Sequence, residues 1–450
     1  MNSVTALEGI EKARIIERDQ HPVSRKNISP NALKVLYRLS DNGFAAFLVG
    51  GGVRDVLLGK QPKDFDIATD ATPEQVKELF RNARIIGRRF KIVHIRYGRE
   101  IIETTTFRAH HEQVNEIQDN VSRRQITAMD SAHSTGGMIL RDNVYGNIDE
   151  DAMRRDFTVN ALYYTTDGFR ILDFCNGLQD LEARKLRMIG DPEARYREDP
   201  VRMLRALRFA AKLEFTIEEK TEAPIDELAP LLSSISPARL FDETLKLLCN
   251  GHARATFTLL CKYRVGEFLL TPTIEALDAA DEISLRLVEL ALDNTDDRLA
   301  QGKSVTPAFL FAALLWPVLQ LKLQRFGNAE QISPQQYHQA ANDSIMEQLQ
   351  CTAIPKRFTI ASREIWDLQR RLLRRNKRNV FSLLNHPRFR AAYDFLLLRE
   401  EAGEDLQDLG AWWTDIQKSD TNQQNAMIAA VEPTTKRRRR RRKKPSGKSE

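Results

Sequence analysis

The chain has 450 residues, 42% hydrophobic and 29% charged, a length for about three domains and a balance that excludes a disordered or fibrous protein. Its formal charge is +6, yet residues 433–450, PTTKRRRRRRKKPSGKSE, hold ten Lys/Arg against one Glu, so a body at −3 carries a tail at +9. Four scattered cysteines without CxxC exclude a disulfide framework or cysteine zinc site, no stretch approaches the ~18 apolar residues of a membrane span, and the N-terminus lacks a signal's apolar core, so a cytoplasmic protein is expected.

Residues 1–28 read as a flexible leader. Ser29-Pro30 predicts a helix start and Asn42-Gly43 its end. FAAFLV, 44–49, reads as a buried strand, Gly50–Gly52 as a turn, and VRDVLLG as a short helix stopped by Gly59. DFDIA, 64–68, is the next strand. Thr72-Pro73-Glu74-Gln75 has capping-box spacing with proline at the first helical position, so a helix runs to about Phe80. KIVHIRY and EIIETTTF flank Gly98-Arg99 as a hairpin. Residues 112–138 are polar and aperiodic and read as a mobile loop; from about 148 to 418 the pattern is mainly helical, without a fixed repeat.

On a strand, residues i and i+2 share a face, so Asp64 and Asp66 project together while Phe65 and Ile67 face a core. Two carboxylates with stems ~7 Å apart can converge on hard cations such as magnesium. Two such ions serve in-line displacement at phosphorus. A strand–Gly–Gly–Gly–helix junction offers backbone N–H groups to an anion, and Arg54 adds charge near it. GxxxxGK[ST] is absent and GGGVRD breaks GxGxxG, so neither a P-loop nor a dinucleotide site is expected.

The ordered pair LVGGGVRDVLLG and DFDIAT resembles the nucleotidyltransferase superfamily with a polymerase-β-like head, in the branch of bacterial poly(A) polymerases and CCA-adding enzymes. EIIETTTFR (100–108) resembles that family's third head strand. RRDFTVNAL (154–162) resembles its ribose and triphosphate motif, and REDPVRMLRALRF (197–209) its EDxxR helix, which meets the incoming base. GRRFKIVHI (87–95) and RFRAAYDFLLLR (388–399) look more like the poly(A) polymerase side. The resemblance implies an α+β fold: a small mixed-sheet head (29–165), a helical neck (166–250), a helical RNA-binding body (251–430) and a disordered basic tail (431–450).

It also implies template-independent transfer of AMP from ATP to an RNA 3′-hydroxyl, with ATP as substrate, two magnesium or manganese ions as cofactors, RNA 3′ ends and RNA-decay proteins as partners, and a monomeric chain. CCA addition to tRNA and an inert RNA-binding scaffold are the alternatives. Asp64 and Asp66 are the expected metal ligands and catalytic residues. Glu103, on the strand beside them, and Asp156 compete for the role of third carboxylate. Gly51, Gly52 and Arg54 are expected on phosphates, with Arg154 or Arg155 reaching the triphosphate. Asp199, Arg202 and Arg205 are expected on the nucleotide. Lys436, Arg437, Arg438, Arg439, Arg440, Arg441, Arg442, Lys443 and Lys444 are expected on RNA. RRLLRRNKR, 370–378, suits either an RNA backbone or plain solvation. His94 and His110-His111 read as structural or solvated.

Overall fold

The Ser29 hydroxyl accepts the Ala32 N–H at 3.0 Å and Pro30 takes the first helical position, so α1 (Pro30–Asp41) starts where Ser-Pro predicts. Its Ala32, Val35, Leu36 and Leu39 recur at helical spacing and are buried against the sheet. The computed structural model describes residues 8–87, 91–109, 116–117, 131–134, 139–142, 144–327 and 332–431. The basic segment 432–450, including Lys436–Lys444, lies outside them. Two compact units form, Met1–Thr271 and Pro272–Glu450. The expected neck–body boundary at 250 moves to 271 because the helix Ala253–Lys262 packs on the helices Val201–Leu213 and Pro237–Leu248.

The first unit is built on a mixed sheet with strand order β1-β11-β10-β2-β3-β6-β5-β4. Its strands are β1 (Arg14–Ile16), β2 (Ala46–Val49), β3 (Asp66–Thr69), β4 (Ala83–Ile86), β5 (Ile92–Tyr97), β6 (Glu100–Thr106), β10 (Leu162–Tyr164) and β11 (Ile171–Asp173). Neighbours are antiparallel except β3 and β6, which run parallel with Asp66 opposite Glu103. The chain reaches β6 from β3 through α3 (Pro73–Leu79), whose capping box at Thr72 and Gln75 forms as the spacing predicts. Apolar side chains cover both sheet faces: Leu48, Ile67 and Ile102 on one, Phe47, Val49 and Phe107 on the other. That is why β2 is a continuous apolar run.

Two expectations fail here, on residues 8–28 and on 112–138. Residues 8–28 are not a leader: β1 pairs with β11, and Ile10, Ile16, Val23 and Ile28 are buried. Their spacing has no period, so only the finished fold shows their purpose. The pattern after 148 is mainly helical as expected, with β10, β11 and the short parallel pair β12 (Lys185–Leu186) and β13 (Thr216–Ile217) set into it. Within 112–138, β7 (Glu116–Ile117) and β8 (Ser131–Ser134) join β9 (Ile139–Asp142) in a separate sheet; the other residues of that span lie outside those described.

The described part of the second unit is helical. Trp366 is fully buried and donates its indole N–H to the Ala312 carbonyl at 3.0 Å, and Trp413 donates to Leu372 at 3.1 Å. Contrary to the expectation from sequence, Pro307–Gln324 is long and apolar enough to cross a membrane. Some 67% of that stretch is buried within the protein, where Leu310, Phe311 and Trp316 build core, so it is a core element by position.

Candidate active site

β3 begins at Asp66, and Asp64 stands just before it. The alternation still holds: Asp64 is exposed, Phe65 is buried, Asp66 is half-buried and Ile67 is buried. The parallel register sets Glu103 beside Asp66. Burial first, then the Glu103 carboxylate, push the Asp66 carboxyl up to about 6; Arg155 pulls it down and Asp64 adds to the rise. Glu103 in turn meets His94 Nε2 at 3.2 Å, which gives the histidine a structural partner. Among the described residues no group of three or more His, Cys, Asp or Glu surrounds a single metal position. The carboxylates come as a crowded pair with a neighbour, so a bound cation would take its remaining ligands from water and substrate oxygens, as magnesium commonly does.

The turn after β2 brings Gly50 against these acids. Its φ is +68°, and a Cβ there would lie 3.7 Å from Arg155 Nη1 and 3.9 Å from Asp66 Oδ2. Gly50 is thus the glycine that backbone and site both require. Gly51 and Gly52 open α2 (Gly51–Leu57), and a Cβ on either would make its nearest contact at 3.4 and 3.5 Å. The sequence reading weighted these two and left Gly50 out of the site; its place as the first residue of the turn was the available signal.

Arg54 departs from expectation. It is 2% exposed, and its guanidinium donates to Asp55 Oδ1 at 2.8 and 2.6 Å and to Asn160 Oδ1 at 2.6 Å. With those donors turned inward, it ties α2 to the 154–162 segment and is not presented to phosphate. Asn160 also donates to Asp156 Oδ1 at 3.2 Å, a bridging role the sequence reading missed although the residue lies inside RRDFTVNAL.

Asp156 also departs. Both its oxygens are taken: Oδ1 by Phe157 N–H and Asn160, Oδ2 by Arg205 Nε at 2.7 Å and by Arg205 Nη2. Burial works to raise its pKa, but Arg205, helped by Asn160 and the Phe157 N–H, outweighs it and holds the carboxyl down at about 2. Asp156 and Arg205 therefore act as a structural clamp, and Glu103, not Asp156, adjoins Asp66. The helix Ile148–Met153 ends before Arg154, so neither arginine lies within it. Arg155 donates from Nε to the Tyr163 hydroxyl at 2.7 Å and from Nη2 to Asp151 at 3.1 Å. Tyr163 donates to the same Asp151 at 2.7 Å.

The helix Val201–Leu213 presents Arg202, Arg205 and Arg208 on one face, over a buried row that includes Met203, Leu204 and Leu207. Arg202 donates to Glu198 at 2.6 Å and to the Arg195 carbonyl at 2.7 Å. Asp199 ends the helix Pro192–Glu198 and does not N-cap Val201–Leu213; its carboxylate accepts from Arg239 at 2.7 Å. Arg54, Arg205 and Arg208 all approach the Phe209 ring, at 5.3, 5.4 and 4.5 Å from its centre. Arg208, three residues beyond Arg205, was legible from that spacing and was overlooked.

Residues 46–187 match the family described as the poly A polymerase head domain. Residues 214–277 match a probable RNA and SrmB-binding site of polymerase A, and 330–445 a polymerase A arginine-rich C-terminus. Poly(A) polymerase I of Escherichia coli O157:H7 is 49% identical over 422 residues, 92% of this chain and 88% of that protein. The chain belongs to the poly(A) polymerase family. Poly(A) polymerase I of Haemophilus influenzae is 44% identical over 92% of this chain and 90% of its own. A CCA-adding enzyme of Lactobacillus helveticus is 40% identical, but over 52% of this chain and 54% of that protein. Among solved structures, a tRNA-processing enzyme in an apo form has a TM-score of 0.55 at 21% identity, covering 88% of this chain and 99% of that one. The Thermotoga maritima CCA-adding enzyme complexed with tRNA has a TM-score of 0.53 at 17%, covering 93% and 99%. These two share the poly(A) polymerase fold.

Proposed function

We propose that this protein adds AMP from ATP to RNA 3′ ends without a template and releases pyrophosphate. The observation that carries the reading is Asp66, crowded by Glu103 and Asp64 against the Gly50 turn, in a chain of this family. Asp64 and Asp66, with Glu103 adjoining, would hold magnesium, which when bound supplies positive charge to the attacking and leaving oxygens. The first turn of α2 offers N–H groups to phosphate oxygens. Arg154 extends that cradle. Asp199 and Arg202 border the base, their side chains already oriented by Arg239 and Glu198. Pre-oriented groups need little rearrangement when charge develops, which is how such a site lowers a barrier. RNA-decay proteins are the expected partners.

The test is purified protein, a generic RNA without tRNA shape, magnesium, and each NTP separately. Long extension with ATP and little with CTP, GTP or UTP is expected. Addition confined to tRNA, stopping at three nucleotides and using CTP, would install the CCA-adding alternative.

The tail gives a second expectation. For single strands, log affinity falls with log salt by about 0.7 per neutralised phosphate. If half of its ten basic residues engage phosphates, deleting 433–450 flattens that slope by roughly 3–4 units. Turnover at saturating RNA should persist. Salt-dependent RNA binding and single-turnover ATP addition check this; an unchanged slope would assign the tail to solubility or to a protein partner.

A further inference from the structure

We propose that a cavity of about 370 Å³ in the helical unit, walled by Arg370, Arg371 and Arg374 with His338 and His386, takes a phosphodiester of single-stranded RNA. The inference rests on the reading of the chain as an RNA-extending enzyme and adds a second RNA contact, in the Pro272–Glu450 unit. The volume falls within the roughly 300–1,000 Å³ of small-ligand pockets.

The argument turns on what the arginines touch. Arg370 donates from Nη2 to the Ile332 carbonyl at 3.0 Å, and its guanidinium lies 4.7 Å from the centre of the Tyr337 ring. Arg371 donates to Asn379 Oδ1 at 3.4 Å and to the Ser382 hydroxyl at 3.0 Å. All these partners are uncharged. They hold the guanidinium groups in place without a direct ion pair, and Asp367 offsets part of the Arg370 charge. Arg374 is exposed, and no hydrogen bond or ion pair is made by its side chain among the described residues. Of the two acids in the wall, Glu364 pairs with Arg388 at 3.2 Å, while Asp367 lies 3.5 Å from His338 Nδ1 and also feels the charges of Arg363 and Arg370, so one carboxylate faces three arginines.

Three arginines thus converge on one cavity and outnumber the carboxylates in its wall. Their mutual repulsion is relieved by an anion, and the planar fork of arginine matches phosphate oxygens in pairs. His386 adds a donor. Its Nδ1 accepts the Arg388 N–H at 3.1 Å, so the neutral ring carries its hydrogen on Nε2. On this proposal the segment RRLLRRNKR serves RNA and is not a merely solvated face.

The test measures direct binding of a fluorescent single-stranded oligoadenylate to the full chain across a salt series. The variants are Arg374→Ala, Arg374→Glu and the triple Arg370→Ala/Arg371→Ala/Arg374→Ala. Arg390→Ala, an exposed arginine paired with Asp394, is the control. Arg374→Ala should flatten the salt slope by about 0.7 and the triple variant by about 2. Affinity at low salt should fall several-fold for Arg374→Ala and further for Arg374→Glu, with Arg390→Ala close to wild type. Should the triple variant fail to fold, Arg374→Glu carries the test, since that side chain supports no neighbour.

An unchanged slope in the Arg374 variants would overturn the proposal, as would an equal loss with Arg390→Ala, which would mean diffuse surface charge. Titration with ADP separates the sources of phosphate: Arg374-dependence for ADP but not for the oligonucleotide would make this a free-nucleotide site and overturn the RNA assignment. Normal RNA binding in every variant, with loss of an acidic protein partner, would overturn it likewise. Absence of RNA binding by the wild-type chain would instead fail the enzymatic reading on which the inference rests.

Discussion

Asp66→Asn should abolish AMP transfer while making the metal-free protein more stable. The carboxylate belongs to the reaction and not to the core, so its loss should lower the single-turnover rate by roughly 10³-fold or more while RNA binding stays. The stability arm follows from its proton affinity. Asp66 holds its proton up to about 6 in the fold, against 3.8 ordinarily. Between those values the folded state binds more protons than the unfolded chain, so stability falls as pH rises from about 4 to 6 and stays lower above. The penalty at pH 7 is on the order of 3 kcal/mol. Asparagine removes it. Melting in EDTA should therefore show the variant above wild type at pH 7 and the two converging near pH 4. Asp64→Ala should lose the same activity with little change in melting, since Asp64 is exposed. More than a tenth of wild-type activity in both variants would reject the role of these carboxylates in metal binding.

Breaking the clamp between Asp156 and Arg205 should have the opposite signature. Asp156→Ala leaves a guanidinium facing a site without its partner. Removing one side of a buried pair costs about 3–5 kcal/mol. The Arg205 side chain keeps 36% of its surface in water, so about 2–3 kcal/mol is expected here. The pH dependence runs the other way from Asp66. The folded carboxyl titrates near 2 and the unfolded one near 3.8. The pair's contribution is complete above about pH 4 and is lost as pH falls towards 2. Acid unfolding of Asp156→Asn followed by circular dichroism should be flatter over that window than wild type. If activity vanished while melting and acid unfolding stayed unchanged, Asp156 would be a group acting on substrate after all.

Much of the head was legible along the chain. The capping box at Thr72, the Ser29-Pro30 helix start and the hairpin turn at Gly98 are decided by residues three or four apart, and all three appear in the fold. The alternation through Asp64-Phe65-Asp66-Ile67 survives even though β3 starts two residues later than expected. β1 was not legible, because a three-residue edge strand has too few positions to display a period and takes its register from β11.

The sequence by itself determined the order glycine turn, short helix, paired aspartates, since a left-handed φ at Gly50 and the two-residue repeat of a strand are local properties. Only the tertiary structure decided which charges remain for substrate. Arg54 pairs with its neighbour Asp55 and is turned inward by Asn160, 106 positions away, Asp156 is spent on Arg205, 49 positions away, and Glu103 arrives beside Asp66 through a parallel register. Residue type announces that a charge exists. Whether it is neutralised depends on separations of about 3 Å in space, which chain distance does not encode.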